Sequence, residues 1–167
     1  MSMQTPNLTK SGGSQPHIVI AYNYADKEFA SKLTAALRHD RITPWIDEVD
    51  MSAGAFLVNR ITQAARPVDC VVPAISTVSV ASNWVQHELR TVMARSFCGR
   101  RVRVLSARID DCALPDFLAS QPYFDFRHNG WSVAYDDLIV AVQQRTGPMT
   151  AKSAQPGFRL PRPAHLT

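Results

Sequence analysis

The chain has 167 residues with 46% hydrophobic and 19% charged side chains, which predicts one globular domain large enough for a core of its own. No apolar run approaches the roughly 18–20 residues of a membrane span, and the polar N-terminal segment lacks a secretory signal, so we expect a cytoplasmic protein with no membrane partner. The net charge of +4 equals the number of basic residues in the terminal segments, Lys10, Lys152, Arg159 and Arg162. Residues 17–145 are therefore neutral overall, which argues against direct binding of nucleic acid by this domain.

Strands and helices are predicted to alternate between residues 17 and 145, because short apolar runs alternate with segments of helical periodicity. The predicted strands are 17–22, 42–46, 69–75, 102–107 and 123–126. The predicted helices are 26–39, a segment from the end of the polar loop 47–53 to about residue 65, 82–97 and 131–145, with a helical turn near 115–119. Asp26 is expected to be the N-cap of the first helix. Residues 1–16 are predicted to be a disordered leader and the Pro-rich residues 146–167 a tail or linker.

This alternation predicts an α/β fold, in which a doubly wound, five-stranded parallel sheet has helices on both faces. Ligands of such sheets bind beyond the carboxyl ends of the strands. The segments predicted to meet there are 22–26, 47–54, 76–88 and the loop after residue 107.

Several protein classes that commonly have this architecture are excluded, because the sequence lacks their motifs. The turn Ala21–Asp26 contains no glycine, so it lacks the dinucleotide fingerprint, and no Walker lysine motif is present. The third strand ends in Ala74-Ile75-Ser76 rather than in the aspartate of a phosphoacceptor domain. The G-x-S-x-G motif of serine hydrolases is also absent.

The segment after the third strand carries Trp84 and Glu88 in the sequence Trp84-Val85-Gln86-His87-Glu88-Leu89. Residues four apart lie on the same face of a helix, so the indole and the carboxylate are predicted to face the same crevice. An aromatic ring beside a carboxylate would suit a substrate in which an aromatic cation is joined to a sugar. The alternative is that Trp84 is part of the core and Glu88 a surface residue.

Taken in order, the segments at this edge resemble the Toll/interleukin receptor (TIR) domain family. The matching segments are Ile18–Asp26 for the first box, Trp45-Ile46-Asp47 with Ala53-Gly54 for the second strand and BB loop, Trp84–Leu89 for the helix of enzymatic members, and Asp110–Pro115 with Tyr123–Phe126 for the approach to the last strand. The resemblance covers about residues 17–145 and implies a flavodoxin-like TIR fold.

The resemblance to the enzymatic, bacterial-type branch implies an NAD⁺ glycohydrolase or cyclase that yields nicotinamide with ADP-ribose or a cyclic ADP-ribose. Nicotinamide leaves as a neutral molecule, so no general acid is required, whereas ordinary glycosidases use two carboxylates. One carboxylate that stabilises the positively charged transition state therefore suffices. NAD⁺ is the substrate, and neither a cofactor nor a metal is expected. The implied setting is immune-type signalling, such as antiphage defence, or NAD⁺ depletion.

The resemblance also assigns roles to individual residues. Glu88 is implied to be catalytic. Tyr22, Tyr24, Trp45, Ser82 and Trp84 are expected to shape the pocket or contact the substrate. Asp47 and Gly54 are placed in the BB loop, which in the family packs against a neighbouring copy, so other TIR domains are expected partners.

Two other functions stay open. A TIR module without enzymatic activity would assemble with other TIR domains as an adaptor or scaffold. A nucleoside-processing transferase on a related fold would need an aspartate after the first strand, where Asp26 is the available residue. The three cysteines, Cys70, Cys98 and Cys112, form no C-x-x-C pair and are predicted to be reduced structural thiols.

Overall fold

The computed structural model describes residues 15–48, 56–64, 67–97, 100–127, 130–144 and 158–159. The strands are β1 (Ile18–Tyr22), β2 (Trp45–Glu48), β3 (Cys70–Ile75), β4 (Ser96–Phe97), β5 (Arg100–Arg101), β6 (Arg103–Val104), β7 (Ser106–Arg108), β8 (Tyr123–Asp125) and β9 (Phe158–Arg159). The helices are α1 (Lys27–His39), α2 (Phe56–Gln63), α3 (Thr77–Val80), α4 (Arg90–Ala94), α5 (Asp116–Ala119) and α6 (Gly130–Gln143). A 3-10 turn, Tyr24–Asp26, precedes α1, and the six residues Trp84–Leu89 between α3 and α4 are π-helical.

The predicted five-stranded parallel sheet is confirmed. Its strands lie in the order β2, β1, β3, then β6 with β7, and then β8, and all pairs among them are parallel. Both β6 and β7 pair with β3, so together they are the predicted fourth strand.

A proline explains the interruption between β6 and β7. The amide of Leu105 donates to the carbonyl of Val71 at 2.9 Å, and the next bond of a parallel ladder would come from the amide of residue 73. Residue 73 is Pro73, which has no N–H to donate. The ladder therefore breaks at Leu105 and resumes with Ala74 opposite Ala107.

The sheet separates two hydrophobic clusters, because successive side chains of a strand point to opposite faces. Ile18, Ile20 and Tyr22 of β1 pack in one cluster with α1 and α6. Val19 and Ala21 pack in the other cluster with α2, the Trp84–Leu89 segment and α5. Helices therefore cover both faces of the sheet, as predicted.

The helix predicted at residues 82–97 differs from the structure at both ends and in its middle. Helical structure starts earlier, at Thr77 in α3, and its central part is π-helical rather than α-helical. The helix ends at Ala94, because Arg95 has an extended backbone and Ser96–Phe97 then pairs with Arg100–Arg101 as an antiparallel hairpin.

The predicted boundaries of the second strand are also wrong. The apolar run 42–46 places the strand too early, since β2 begins at Trp45 and continues to Glu48. Pro44 has no N–H to donate to a ladder, and Ile42 is buried in the core cluster from outside the strand. Asp47 therefore pairs with Ala21 inside β2 instead of opening the loop.

The predicted leader 1–16 and tail 146–167 lie largely outside the described residues, as do Gly54 and Cys98. Within the predicted tail, β9 pairs antiparallel with β8, with Phe158 opposite Phe124. Cys70 and Cys112 are buried free thiols. Across the part of the chain that the structure describes, no helix is both long and apolar enough to cross a membrane.

Candidate active site

Glu88 is a buried carboxylate at the beginning of α2. Its side chain is only 9% exposed, and its Oε1 accepts a hydrogen bond from the backbone N–H of Leu57 at 2.8 Å. Leu57 is the second residue of α2, where backbone N–H groups have no partner within the helix and the helix dipole favours negative charge. The carboxylate is therefore fixed where α2 emerges from the segment that contains Gly54.

Trp84 lies in the same hydrophobic cluster as Leu57 and is 2% exposed. Its indole Nε1 is buried and has no hydrogen-bond partner among the described residues. Leaving a buried N–H unpaired costs about 1–3 kcal/mol. The indole N–H is thus an unused donor on the helical segment that carries Glu88.

The pair lies in a π-helical segment, Trp84–Leu89. The sequence predicts a common face for the two residues from α-helical spacing, whereas the structure widens this turn. Short π-helical segments within helices are rare and occur often at functional sites. The distortion therefore falls on the residues that the sequence singles out.

Ser82 is buried, and its hydroxyl donates a hydrogen bond to the carbonyl oxygen of Ser79. Its proton is therefore used within its own loop. The predicted contact with a ribose or phosphate oxygen would require the hydroxyl to leave that carbonyl, since an oxygen of a phosphate group accepts hydrogen bonds.

The two predicted tyrosines have different environments. Tyr22, the last residue of β1, is buried in the cluster with α1 and α6. Tyr24 is 66% exposed, with the ammonium group of Lys27 5.7 Å from its ring centroid. Of the two, only Tyr24 presents most of its ring to solvent.

The predicted place of Trp45 at the carboxyl end of the second strand is wrong. Trp45 is the first residue of β2 and pairs with Val19. Its ring stacks on His17 with centroids 5.9 Å apart, and the guanidinium carbon of Arg60 lies 5.2 Å from its centroid. These contacts place Trp45 near the amino ends of the strands, because the predicted strand is displaced along the chain.

Asp26 forms a contact that the sequence did not reveal. It occupies the N-cap position of α1, as expected, but its side chain makes no capping bond. Its Oδ2 instead accepts a hydrogen bond from the hydroxyl of Ser76 at 2.6 Å. Burial raises the pKa of Asp26, the Ser76 bond opposes this, and the nearby charge of Asp110 raises it further.

Asp110 is the counterpart of Asp26 in the loop after β7. Its carboxylate accepts hydrogen bonds from the backbone N–H of Thr77 at 2.9 Å and of Cys112 at 2.9 Å, and from the Thr77 hydroxyl at 3.2 Å. Burial alone would raise the pKa of Asp110, but these bonds outweigh it and lower the pKa. Acidic residues in successive loops after strands are the signal that could have identified both residues.

A surface groove of about 380 Å³ lies beside the same helical segment. It is lined by Val80, Gln86, Arg90 and residues 113–116, and neither Trp84 nor Glu88 contributes to it. Among the described residues, no group of three or more His, Cys, Asp or Glu side chains is arranged to hold a metal ion.

A family model described as "TIR domain" matches residues 18–139. The match begins at the first residue of β1 and ends within α6, so it includes all five parallel strands and the segment with Trp84 and Glu88. No curated protein matches the chain.

Proposed function

Because the chain belongs to the TIR domain family, we propose that it cleaves NAD⁺ as a glycohydrolase or cyclase, with Glu88 as the catalytic carboxylate. The observation that carries the proposal is the burial of Glu88 in the same helical segment as Trp84, with one carboxylate oxygen held at the start of α2. Such a carboxylate needs no reorientation when positive charge develops in front of it.

The reaction breaks the bond between the ribose C1′ and the pyridinium nitrogen. The bonding electrons move to that nitrogen, so nicotinamide leaves neutral and the positive charge passes to the ribose. The Glu88 carboxylate would stabilise this charge and bind the ribose hydroxyls. Water would then give ADP-ribose with release of a proton, and attack by an adenine nitrogen would give a cyclic product.

The other predicted residues have secondary roles in this proposal. Trp84 would form the pocket wall beside Glu88, and its Nε1–H, which no described residue accepts, would donate to a carbonyl or phosphate oxygen. The exposed ring of Tyr24 would stack on a base, and Ser82 would contact ribose or phosphate. Trp45 is left out, since its ring lies with His17.

Self-association is part of the proposal. The segment 49–55, which contains Gly54, connects β2 to the α2 helix that binds Glu88. A neighbouring copy that packs against this segment would act on the start of α2 and hence on the site. We therefore expect activity to rise when the protein is assembled, in a setting such as immune signalling or NAD⁺ depletion.

A second candidate is a TIR module without enzymatic activity. The hydrogen bond from Leu57 favours it, because a carboxylate at a helix start is stabilising whether or not it does chemistry. In that case Glu88 would matter for folding alone, and other TIR domains would be the only partners.

Nicotinamide release by protein clustered on beads distinguishes the two candidates. Glu88→Gln is the informative variant, because its amide oxygen can still accept the Leu57 bond while the charge is lost. If the protein is an enzyme, Glu88→Gln and Glu88→Ala should abolish nicotinamide release, and both variants should still capture other TIR domains. Unchanged nicotinamide release in both variants would rule out Glu88 as the catalytic carboxylate, and absence of turnover from dense wild-type beads would favour the module.

A further inference from the structure

Three serines spaced three residues apart lead from Asp26 to the helix of Glu88. Ser76, Ser79 and Ser82 are each at most 1% exposed, although most serines lie at protein surfaces. A buried hydroxyl is retained when its hydrogen bonds compensate for the loss of water. The hydrogen bonds of these three hydroxyls therefore indicate which parts of the chain the serines hold in place.

The bonds form one continuous chain. The Ser76 hydroxyl donates to Asp26 and accepts from the Ser79 amide at 3.1 Å, and the Ser79 hydroxyl accepts from the Ser76 amide at 2.8 Å. The Ser82 hydroxyl donates to the Ser79 carbonyl. The Ser82 carbonyl accepts the amide of Gln86 at 3.3 Å, two residues before Glu88.

The start of this chain is held from two sides. Asp26 comes from the turn after β1 and binds Ser76, while Asp110 comes from the loop after β7 and binds Thr77. Neighbouring residues at the start of α3 are thus fixed by carboxylates from two other loops. The first turn of the helical region cannot shift along the sheet without breaking one of these contacts.

We propose that Asp26 is a positioning residue for Glu88, acting through Ser76, Ser79 and Ser82. The proposal rests on the proposed function. Glu88 is tied to Leu57 by one of its oxygens, so a small shift of its helix moves the carboxylate relative to a bound ribose. Displacements of about 1 Å are enough to reduce catalysis on the order of 100-fold.

The test compares kcat and KM of bead-clustered Asp26→Ala, Asp26→Asn and Tyr135→Phe. Tyr135→Phe is the matched control, because it also removes a hydroxyl–carboxylate bond, the 2.5 Å contact with Asp40. Asp26→Ala is expected to lower kcat about 10- to 100-fold with KM within about twofold. Asp26→Asn should keep most of kcat, since its amide oxygen accepts from Ser76, and Tyr135→Phe should keep the wild-type kcat.

A wild-type kcat in Asp26→Ala would overturn the inference, and so would an Asp26→Asn variant as slow as Asp26→Ala. Loss of activity in Glu88→Gln together with full activity in Asp26→Ala removes this inference and leaves the proposed function standing. Activity retained in Glu88→Gln removes the role of Glu88 as the catalytic carboxylate and this inference with it.

Two further measurements test the proposal if the Asp26→Ala protein folds poorly. Ser76→Ala breaks the same chain at its first link, so it should lower kcat similarly, and Asp26→Asn/Ser76→Ala should be no slower than Ser76→Ala alone. Amide hydrogen exchange over residues 82–90 should rise about tenfold or more in Ser76→Ala but not in Tyr135→Phe. Equal exchange in the two variants would contradict a positioning role.

Discussion

The two ends of the parallel strands use hydrogen-bonded acids in different ways. At the amino ends, Asp69 accepts the amide of His17 at 2.6 Å, and Asp40 accepts the hydroxyl of Tyr135. At the carboxyl ends, Asp26 and Asp110 hold the start of α3. Acids that link elements are therefore found at both ends and do not by themselves identify a reactive site.

What distinguishes the carboxyl ends is the surroundings of Glu88. A buried carboxylate, an indole N–H that is unpaired within the described part of the chain, and a π-helical turn occur there together within six residues. At the amino ends, the aromatic ring of Trp45 is engaged by His17, and Arg103 donates to the carbonyl of Ala141 at the end of α6. The surroundings of Glu88 therefore make the carboxyl ends the candidate site.

Replacing Trp84 should give the largest loss of stability. Trp84→Ala is expected to lower the free energy of unfolding by about 4 kcal/mol, because it empties a buried site. Trp84→Phe should cost less than about half of that, since the indole N–H has no partner among the described residues. Urea unfolding measures both values, and equal losses would mean that the N–H is bonded.

The ion pair of Arg127 with Asp125 tests whether the carboxyl ends also contain purely structural charges. The guanidinium Nε lies 2.9 Å from Asp125 Oδ1, and the Asp125 side chain is 0% exposed. The pair raises the pKa of Arg127. Arg127→Met should lower the free energy of unfolding by about 3 kcal/mol, because a buried carboxylate loses its guanidinium partner.

Asp111→Asn is the control for this prediction. Asp111 also binds Arg127, but its side chain is 77% exposed, so its loss should cost less than about 0.5 kcal/mol. Similar losses in Arg127→Met and Asp111→Asn would show that burial of Asp125 does not set the cost.

At the amino ends, Tyr135→Phe should lower the free energy of unfolding by about 1.5 kcal/mol at neutral pH, the value of a hydrogen bond to a charged group. Burial and the bond to Asp40 raise the pKa of Tyr135, so the folded state favours the protonated phenol. The advantage of the wild type over Tyr135→Phe should therefore shrink as the pH rises above about 10. An advantage that grows there would contradict the assignment.

The smallest effect is a difference in pH dependence between Asp26 and Asp110. The pKa of Asp26 is raised in the folded state, so its contribution to stability is present at low pH and lost as the pH rises. The pKa of Asp110 is lowered, so its contribution is present at neutral pH and lost on acidification. Unfolding from pH 3 to 7 should show opposite slopes for wild type minus Asp26→Asn and wild type minus Asp110→Asn.

The sheet was predictable because its strands are short, apolar and rich in β-branched residues, as in the fully buried β3. That Trp84 and Glu88 share one helical segment was predictable from their spacing. The π-helical turn was not, because the same residues fit an α-helix. The position of β2 was missed because Ile42 is buried without being in a strand and Pro44 delays the ladder. Contacts such as Asp26 with Ser76, 50 residues apart, are formed only by the folded chain.

The proposed cleavage of NAD⁺ depends most directly on the charge of Glu88. Nicotinamide release from NAD⁺ should be measured for wild type, Glu88→Gln and Asp40→Asn at equal density on beads. We predict that Glu88→Gln lowers the rate by about 100-fold or more, while Asp40→Asn, which alters a carboxylate at the opposite end of the sheet, stays within about twofold of wild type. A Glu88→Gln rate equal to that of wild type would contradict the account.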